Sequence, residues 1–252
     1  MRNWERFDRK SRNYDLYRPR YPKQLLTLLE KEVGLNKSSI VADVGSGTGL
    51  LSELLLKSGC SIFCVEPNEE MRNIAREKFA KVAKCTVLDG TAENTSLPDN
   101  SIDLITAGQA FHWFDETKSK KEFNRILKRD GLVALVWNTR LESSEGMNSE
   151  YEKLVRKYSV GYHASGHLAV SKDVIEAFFD GNFRSFIIKN DQLLDLEGML
   201  GRYLSASYAI DQRDKNFEQM KREFSVVFKR FEVNGYITIE YETEVFLGTI
   251  GK

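Results

Sequence analysis

The sequence contains few residues of the kinds that mark disulfide-rich or metal-binding proteins. Its 252 residues include three cysteines, Cys60, Cys64 and Cys85, and this odd number argues against a disulfide framework. Two of them fall at or within a predicted buried strand, where we interpret them as small apolar side chains. Of the three histidines, His163 and His167 lie four residues apart between glycines with no third ligand nearby, so we expect no metal site.

Net charge and long hydrophobic runs are also absent. The 37 basic and 37 acidic residues cancel, which argues against the positive surface that nucleic-acid backbones require. No stretch approaches the length of a membrane span, and the first residues, MRNWERFDRKSRNYD, are too charged for a signal sequence. We therefore expect a cytoplasmic protein without nucleic-acid or membrane partners.

The most informative stretch is VADVGSGTG, residues 41–49, followed at once by LLSELLLKSG. The apolar residues predict a buried strand that leads through a glycine-rich turn into an amphipathic helix. Gly45, Gly47 and Gly49 let the backbone turn sharply and approach a ligand, and the free amides at the helix start face that ligand. Asp43, at the end of the strand, is placed to accept from loop amides or from a ligand ammonium group.

The glycine spacing separates two classes of nucleotide-binding protein. The dinucleotide fingerprint GxGxxG needs a glycine at position 50, where this sequence has Leu50. The next predicted strand, SIFCV, leads into Glu66, which is placed to accept from both hydroxyls of a ribose. The alternative is a solvated glutamate that precedes the helix from Asn68. A DxGxGxG motif paired with an acidic residue after the next strand resembles the Rossmann-like S-adenosylmethionine-dependent methyltransferases.

A second motif follows the predicted strand over residues 102–107. The sequence QAFHWF, residues 109–114, lies at the carboxyl end of that strand, the edge where open α/β sheets bind ligands. It resembles the fourth motif of these methyltransferases, which lies beside the transferred methyl group. His112 is either a general base or, as we favour, a structural or substrate-positioning group. Trp113 and Phe114 are placed to exclude water, although large aromatic residues most often bury area first.

The N-terminal segment YDLYRPRYP contains two X-Pro steps that force an extended backbone. It resembles the relatives of trans-aconitate methyltransferase, in which such an arm folds over the cofactor, and GRYLSASYA at residues 201–209 resembles them too. By that resemblance Tyr14, Arg18 and Tyr21 are lid residues. The alternative is that these aromatics only attach the arm to the surface of the core.

Strand and helix patterns alternate five times up to the continuously apolar run LVALVW, residues 132–137, after a helix predicted to end near residues 128–131. We expect an α/β fold, namely a three-layer Rossmann-like, seven-stranded, mostly parallel sheet with an antiparallel last strand and a helical cap inserted after strand 5. The predicted single domain, 1–252, divides into an N-terminal arm and helix over the cofactor (1–32), a cofactor-binding core (33–138), the cap (139–183 and 195–233) and two closing strands (184–194 and 236–249).

The resemblance implies a methyltransferase that uses S-adenosylmethionine and a small-molecule acceptor, with a carboxylate or another oxygen nucleophile as the methylated group, as a monomer or homodimer. A carboxylate acceptor needs no base, but a cation must orient the rest of an acidic molecule. Arg140 is the first choice, with Arg202 and Arg18 behind it. The alternative for each is a surface salt bridge or an arm over apolar surface, which we favour for Arg202.

Two other functions remain open. A cofactor-binding protein without transferase activity fits the same motifs, and a nicotinamide-dependent oxidoreductase is disfavoured by Leu50 and by QAFHWF. The predicted cofactor contacts are Arg18, Tyr21, Asp43, Gly45, Ser46, Gly47, Gly49, Glu66, Pro67, Met71, Thr91, Ala92, Glu93, Gln109 and Ala110, and the predicted substrate contacts are Trp113, Arg140, Tyr162 and Tyr208.

Overall fold

A seven-stranded sheet forms the centre of the chain. The computed structural model describes residues 11–159, 162 and 170–251. Strands of the sheet occur in the order β3-β2-β1-β4-β5-β9-β6, and β7 and β8 pair separately. The strand bounds are β1 Ile40–Val44, β2 Ser61–Val65, β3 Cys85–Leu88, β4 Ile102–Gly108, β5 Leu127–Arg140, β6 Phe183–Lys189, β7 Gln192–Leu194, β8 Ile237–Ile239 and β9 Tyr241–Gly248.

Helices cover both faces of this sheet. Their bounds are α1 Ser11–Tyr17, α2 Lys23–Val33, α3 Leu50–Leu55, α4 Glu69–Phe79, α5 Glu116–Ile126, α6 Gly146–Tyr158, α7 Lys172–Phe178, α8 Leu196–Leu204 and α9 Phe217–Phe231. Side chains of α2, α3 and α4 share one apolar cluster with the sheet, and those of α5 and α7 share another. These two clusters make the three layers that the sequence predicts. No helix in the described part of the chain combines the length and apolar character needed to span a membrane.

The strand directions confirm the predicted fold class. β1 runs parallel to β2 and β4, β2 runs parallel to β3, and β4 runs parallel to β5. β9 is antiparallel to both β5 and β6. The carboxyl ends of β1, β2, β4 and β5 therefore meet at one edge of the sheet, where open α/β sheets bind their ligands.

Strand β5 starts earlier than predicted. The sequence predicts a helix that ends near residues 128–131, but α5 ends at Ile126 and the strand begins at Leu127, which pairs with Ile102. Leu127 is 2% exposed, and Lys128 forms an ion pair of 2.7 Å with Asp103. These contacts with β4 stabilise the extended backbone in place of another helical turn, so the basic residues that resemble a helix end belong to the strand.

Each predicted closing strand is in fact two strands. The predicted strand over 184–194 divides into β6 in the main sheet and β7, which pairs with β8. The predicted strand over 236–249 divides in the same way into β8 and β9. Alternation of apolar and polar residues continues through the break between β8 and β9, so the sequence pattern does not mark where the chain returns to the sheet, whereas the polar run KNDQ, residues 189–192, separates β6 from β7.

The segment inserted between β6 and β9 forms part of a cap over the sheet edge. The antiparallel pair of β7 and β8 packs with α6, α8 and α9 in a third apolar cluster that includes Tyr151, Met199, Tyr203 and Phe224. Helix α7 lies in the range 139–183 that was assigned to the cap, but its Phe178 belongs to a cluster on the sheet. The cap is therefore built mainly from α6, α8, α9 and this strand pair.

Candidate functional site

A cleft opens at the carboxyl edge of β1, β2, β4 and β5. The empty space of this cleft, including its opening to solvent, is about 1120 Å³. The lining residues are Tyr14, Arg18, Pro19, Tyr21, Asp43, Gly45, Ser46, Gly47, Leu50, Leu51, Glu66, Pro67, Met71, Thr91, Ala92, Glu93, Gly108, Gln109, Ala110, Trp113, Phe114, Asn138 and Arg202.

The glycine-rich loop after β1 forms the floor of the cleft. The amides of Gly45 and Ser46 donate to the carbonyl of Val65 at 2.8 and 3.2 Å, which joins the loop to the end of β2. Gly45 has φ of 67°, and a Cβ there would lie 2.6 Å from the side chain of Ala110. The Ser46 hydroxyl oxygen is buried and has no hydrogen-bond partner among the described residues. The loop therefore presents a buried polar group without a protein partner to the cleft.

Gly49 makes the sharp backbone turn that the sequence predicts but not the predicted contact with the cleft. It does not line the cleft but precedes α3 with φ of 81°, and a Cβ there would lie 2.4 Å from the ring of Phe79. The third glycine of the motif is therefore required for the backbone turn and for the packing of α4 against α3.

Glu66 is the buried carboxylate of the cleft. It is 5% exposed, so the interpretation as a solvated residue is wrong. Its Oε2 accepts from the amide of Gly47 and its Oε1 from the amide of Asn68, each at 2.8 Å. Burial raises the pKa of Glu66 to about 7, although these two amides and the charge of Arg72 lower it. Each carboxylate oxygen retains a further lone pair, so the group can accept from two neighbouring hydroxyls.

Asp43 lies between the glycine loop and the core. Its Oδ2 accepts from the hydroxyl of Ser52 at 2.5 Å and its Oδ1 from the hydroxyl of Thr106 at 2.9 Å. Burial raises the pKa of Asp43 to about 6 in spite of these two hydrogen bonds. Both oxygens thus already have hydroxyl donors from α3 and β4, and neither accepts from the loop amides that the sequence suggested.

The loop after β4 forms one wall of the cleft. Gln109 has φ of 54°, a left-handed conformation uncommon outside glycine, and its Nε2 donates to the carbonyl of Asn138 at 2.7 Å. Trp113 lines the cleft, whereas His112 does not, and the two rings lie 4.7 Å apart. Across the cleft, Glu93 accepts from the amide of Asp115 at 2.9 Å, which joins the loop after β3 to this wall.

The arm and the cap close the opposite end of the cleft. Helix α1 contacts α8, where the Tyr17 hydroxyl donates to Glu197 at 3.0 Å. Arg18 donates to the carbonyl of Ser205 at 3.4 Å. Arg202, on α8, is 5% exposed and donates through Nε to the hydroxyl of Tyr241 at 3.1 Å. Two arginines from distant parts of the sequence therefore meet at this end.

Known proteins share this arrangement. Residues 42–135 match the family model described as a methyltransferase domain. An uncharacterized methyltransferase of Oceanobacillus iheyensis is 33% identical over 168 residues, which are 64% of this chain and 76% of that protein. The chain belongs to the methyltransferase family. The glycine loop and Glu66 are thus parts of a methyltransferase domain.

A shorter sequence match and a similarity in fold accompany this one. An uncharacterized methyltransferase of Schizosaccharomyces pombe is 37% identical over 129 residues, 51% of this chain and 50% of that protein. The chain thus spans about half the length of the first such relatives. The fold is also that of the YcgJ protein of Bacillus subtilis, with a TM-score of 0.59 and 20% identity over 92% of this chain and 100% of that one.

The structure brings together most of the residues that the sequence predicts, but not all. Of the predicted contacts, Gly49, His112, Arg140, Tyr162 and Tyr208 lie outside the cleft lining. The last three surround Glu152 in the cap. Arg140 forms an ion pair with Glu152, the Tyr162 hydroxyl lies 3.0 Å from the same carboxylate, and the rings of Tyr162 and Tyr208 lie 4.7 Å apart.

The prediction that Arg140 faces the cleft is wrong because β5 continues through this residue. Arg140 pairs with Tyr241 of β9, and its guanidinium lies 4.9 Å from the Tyr151 ring of α6. A residue that we expected in the loop after the strand is thus part of the strand and packs beneath the cap.

Asn138 and Arg202 are the cleft residues that sequence reasoning missed or ranked low. Asn138 follows the apolar run of β5, the same signal that identified Glu66 after β2, and its Nδ2 donates to the carbonyl of Pro19 at 3.2 Å. For Arg202, only the resemblance of residues 201–209 to the trans-aconitate methyltransferase relatives pointed to this segment. Within the described residues there is no cluster of three metal-ligating side chains, and His163 and His167 lie outside those residues.

Proposed function

We propose that this chain binds S-adenosylmethionine in the cleft and transfers its methyl group to a small molecule, at a carboxylate or another oxygen nucleophile. The observation that carries the proposal is the position of Glu66. Its two oxygens lie beside the glycine loop at the end of β2, with a lone pair each for the two hydroxyls of a ribose. This arrangement suits an adenosine at the β2 end of the cleft.

The rest of the cleft fits this cofactor. Thr91 and Ala92 lie beside Glu66 in the lining, where they would flank an adenine ring, and the buried Ser46 hydroxyl needs a partner. Gly47 has φ of 58° and leaves the loop open to the cleft, with Met71 as the nearest side chain. We infer that these residues hold the nucleoside, while Asp43, through its hydrogen bonds, keeps the loop in place against α3.

Bound S-adenosylmethionine supplies an electrophilic methyl group on a sulfonium. The residues of the chain must then orient the acceptor in line with that methyl group and exclude water. Trp113 and Phe114 line the cleft after β4 and are suited to exclude water. A carboxylate acceptor is already ionised at neutral pH, so the transfer needs no general base. His112, outside the lining, then keeps the structural role that we favour.

The first experiment is calorimetric titration with S-adenosylhomocysteine and, separately, with NADH. We expect binding of S-adenosylhomocysteine alone, followed by methyl transfer to a member of a panel of small carboxylic acids. Glu66→Gln should weaken the binding of S-adenosylhomocysteine, and the matched control is Glu77→Gln, which changes an exposed carboxylate of α4 outside the cleft lining. Binding of NADH alone would contradict the proposal, and binding of S-adenosylhomocysteine without transfer to any acid would favour a cofactor-binding protein.

A further inference from the structure

Two arginines at the β5 end of the cleft have no anionic partner in the described residues. Arg202 is 5% exposed and lines the cleft, and its Nε donates to the hydroxyl of Tyr241 at 3.1 Å. Arg18 donates to a backbone carbonyl, and its Nε is buried without a partner. No ion pair joins either arginine to an aspartate or glutamate among these residues, although both line the cleft. Buried guanidinium groups are costly unless they are paired.

The charges of the two arginines act on each other. Burial lowers the pKa of Arg18, and the positive charge of Arg202 lowers it further. Burial by itself would raise the pKa of Tyr241, but Arg202, Arg140 and Arg18 together bring it below the ordinary value of 10.0. An anion between Arg18 and Arg202 would relieve this repulsion. Of the three arginines, Arg140 already has an anionic partner in Glu152.

We propose that Arg202, together with Arg18, binds a carboxylate of the acceptor, and that Tyr241 is a positioning residue that holds Arg202 in place for it. This inference rests on the proposed function. It assigns the recognition of an acidic acceptor to α8 and the arm rather than to Arg140.

The position of the arginines favours the acceptor over the cofactor as the source of the carboxylate. Glu66 follows β2, whereas Asn138, which donates to the carbonyl of Pro19 next to Arg18, lies in β5. The sheet order β2-β1-β4-β5 separates these strands by three spacings, ~14 Å at about 4.8 Å each. The adenosine and the arginines therefore occupy opposite ends of the cleft, with the glycine loop between them. The amino-acid part of the cofactor also carries a carboxylate, so the experiment must separate the two sources.

The first arm of the test measures anion binding. The protein, with and without S-adenosylhomocysteine, is titrated with malonate, glutarate and citrate, and with malonamide and glutaramide as uncharged counterparts, at constant ionic strength. We expect at least one carboxylate to bind and the amides not to bind. Arg202→Gln should weaken carboxylate binding about tenfold, and Arg202→Lys should restore part of it. Arg213→Gln, which removes an exposed charge from the same cap, should change nothing.

The second arm separates the two carboxylates. We expect Arg202→Gln to bind S-adenosylhomocysteine as tightly as the unchanged protein does, which also shows that the variant is folded. If it binds S-adenosylhomocysteine more weakly but retains its affinity for 5′-methylthioadenosine, which lacks the amino-acid group, then Arg202 holds the cofactor and the inference is overturned. If Arg202→Gln does not fold, Arg202→Met, which keeps the aliphatic part of the side chain, is measured against the same expectations.

The positioning role of Tyr241 has its own readout. Tyr241→Phe removes the hydroxyl that accepts from Arg202 and should weaken carboxylate binding by about threefold without changing the affinity for S-adenosylhomocysteine. If Tyr241 has only a structural role, Tyr241→Phe will leave the preference for carboxylates over amides unchanged. That result would overturn the positioning role of Tyr241. Carboxylates that bind no better than their amides in the unchanged protein would overturn the whole inference. Failure of S-adenosylhomocysteine to bind would instead contradict the proposed function. Because carboxylate binding is also measured without S-adenosylhomocysteine, the proposed function and the role of the two arginines can fail independently.

Discussion

The two ends of the cleft are built in different ways. At the β2 end, the binding groups come from the sheet edge and are held by backbone amides, as Glu66 is held by Gly47 and Asn68. At the β5 end, they are long side chains from the arm and from α8, held by few side-chain contacts, as Arg202 is held by Tyr241. The first end is therefore continuous with the core, whereas the second depends on segments packed over it. We expect changes at the first end to affect folding and cofactor binding, and changes at the second to affect acceptor recognition.

The largest effect is expected from Glu66→Gln. The amide group of glutamine would face the amides of Gly47 or Asn68 with a donor, and the ribose would lose a charged acceptor, so S-adenosylhomocysteine should bind about 1,000-fold more weakly, or ~4 kcal/mol. Calorimetry measures the affinity. Glu77→Gln, which changes an exposed carboxylate of α4 outside the cleft lining, is the matched control, with a change of less than about threefold. Equal losses in the two variants would show that this end of the cleft is not organised by Glu66.

Gly49→Ala tests whether the glycine loop is part of the core. The added Cβ would meet the ring of Phe79, and the residue would keep φ of 81°, so the free energy of unfolding should fall by about 3 kcal/mol. The control is Gly34→Ala, which has φ of 73° but nothing within 4 Å of the added Cβ, and should cost about 1 kcal/mol. Urea denaturation measures both. Similar losses would mean that contact with α4 does not constrain the loop.

The affinity for S-adenosylhomocysteine should depend on pH through Glu66. Because burial raises its pKa to about 7, the carboxyl is mostly protonated at pH 6 and loses acceptor strength for the ribose. We expect about tenfold weaker binding at pH 6 than at pH 8. Glu66→Gln should show a much flatter profile, with Asp43, whose pKa burial raises to about 6, as the remaining group near pH 6. A profile that is equally steep in both proteins would contradict the assignment.

The same shift affects the protein without ligand, with a definite sign. The pKa of Glu66 in the folded protein lies above the ordinary value of 4.5. The contribution of Glu66 to stability is therefore fully present below about pH 4.5 and is lost as the pH rises through about 7. Calorimetric unfolding of the ligand-free protein and of Glu66→Gln measures this contribution.

The smallest effect on recognition is expected from Arg140→Gln. Because Arg140 pairs with Glu152 under the cap, the variant should lose about 1 kcal/mol of stability but change carboxylate affinity by less than about twofold. Titration with glutarate measures the affinity beside Arg202→Gln. If Arg140→Gln loses as much affinity for glutarate as Arg202→Gln does, then Arg140 at the end of β5 also recognises the carboxylate, which contradicts the assignment to Arg202.

The sequence predicts the β2 end of the cleft better than the β5 end, for a physical reason. The glycine loop and Glu66 lie next to predicted strands, and the parallel order of those strands brings them to one edge. The meeting of Arg18 with Arg202 depends on the packing of α1 against α8, which no local pattern encodes. Asn138 was within reach of sequence reasoning, since it is polar and directly follows an apolar run. The position of the Arg140 side chain was not within reach of sequence reasoning, because it depends on the pairing of β5 with β9.

The way in which the chain enters and leaves the cap has a consequence for how such a protein can change. The amide of Asn190, after β6, donates to the carbonyl of Tyr241, at the start of β9, at 2.9 Å, so the segment between them leaves the sheet and returns to it at neighbouring points. An insert whose two ends already meet adds little loop-closure cost when its length changes. The length of residues 191–240 is therefore only weakly constrained by the pairing of β6 with β9, and a change in that length would alter the cap more than the sheet.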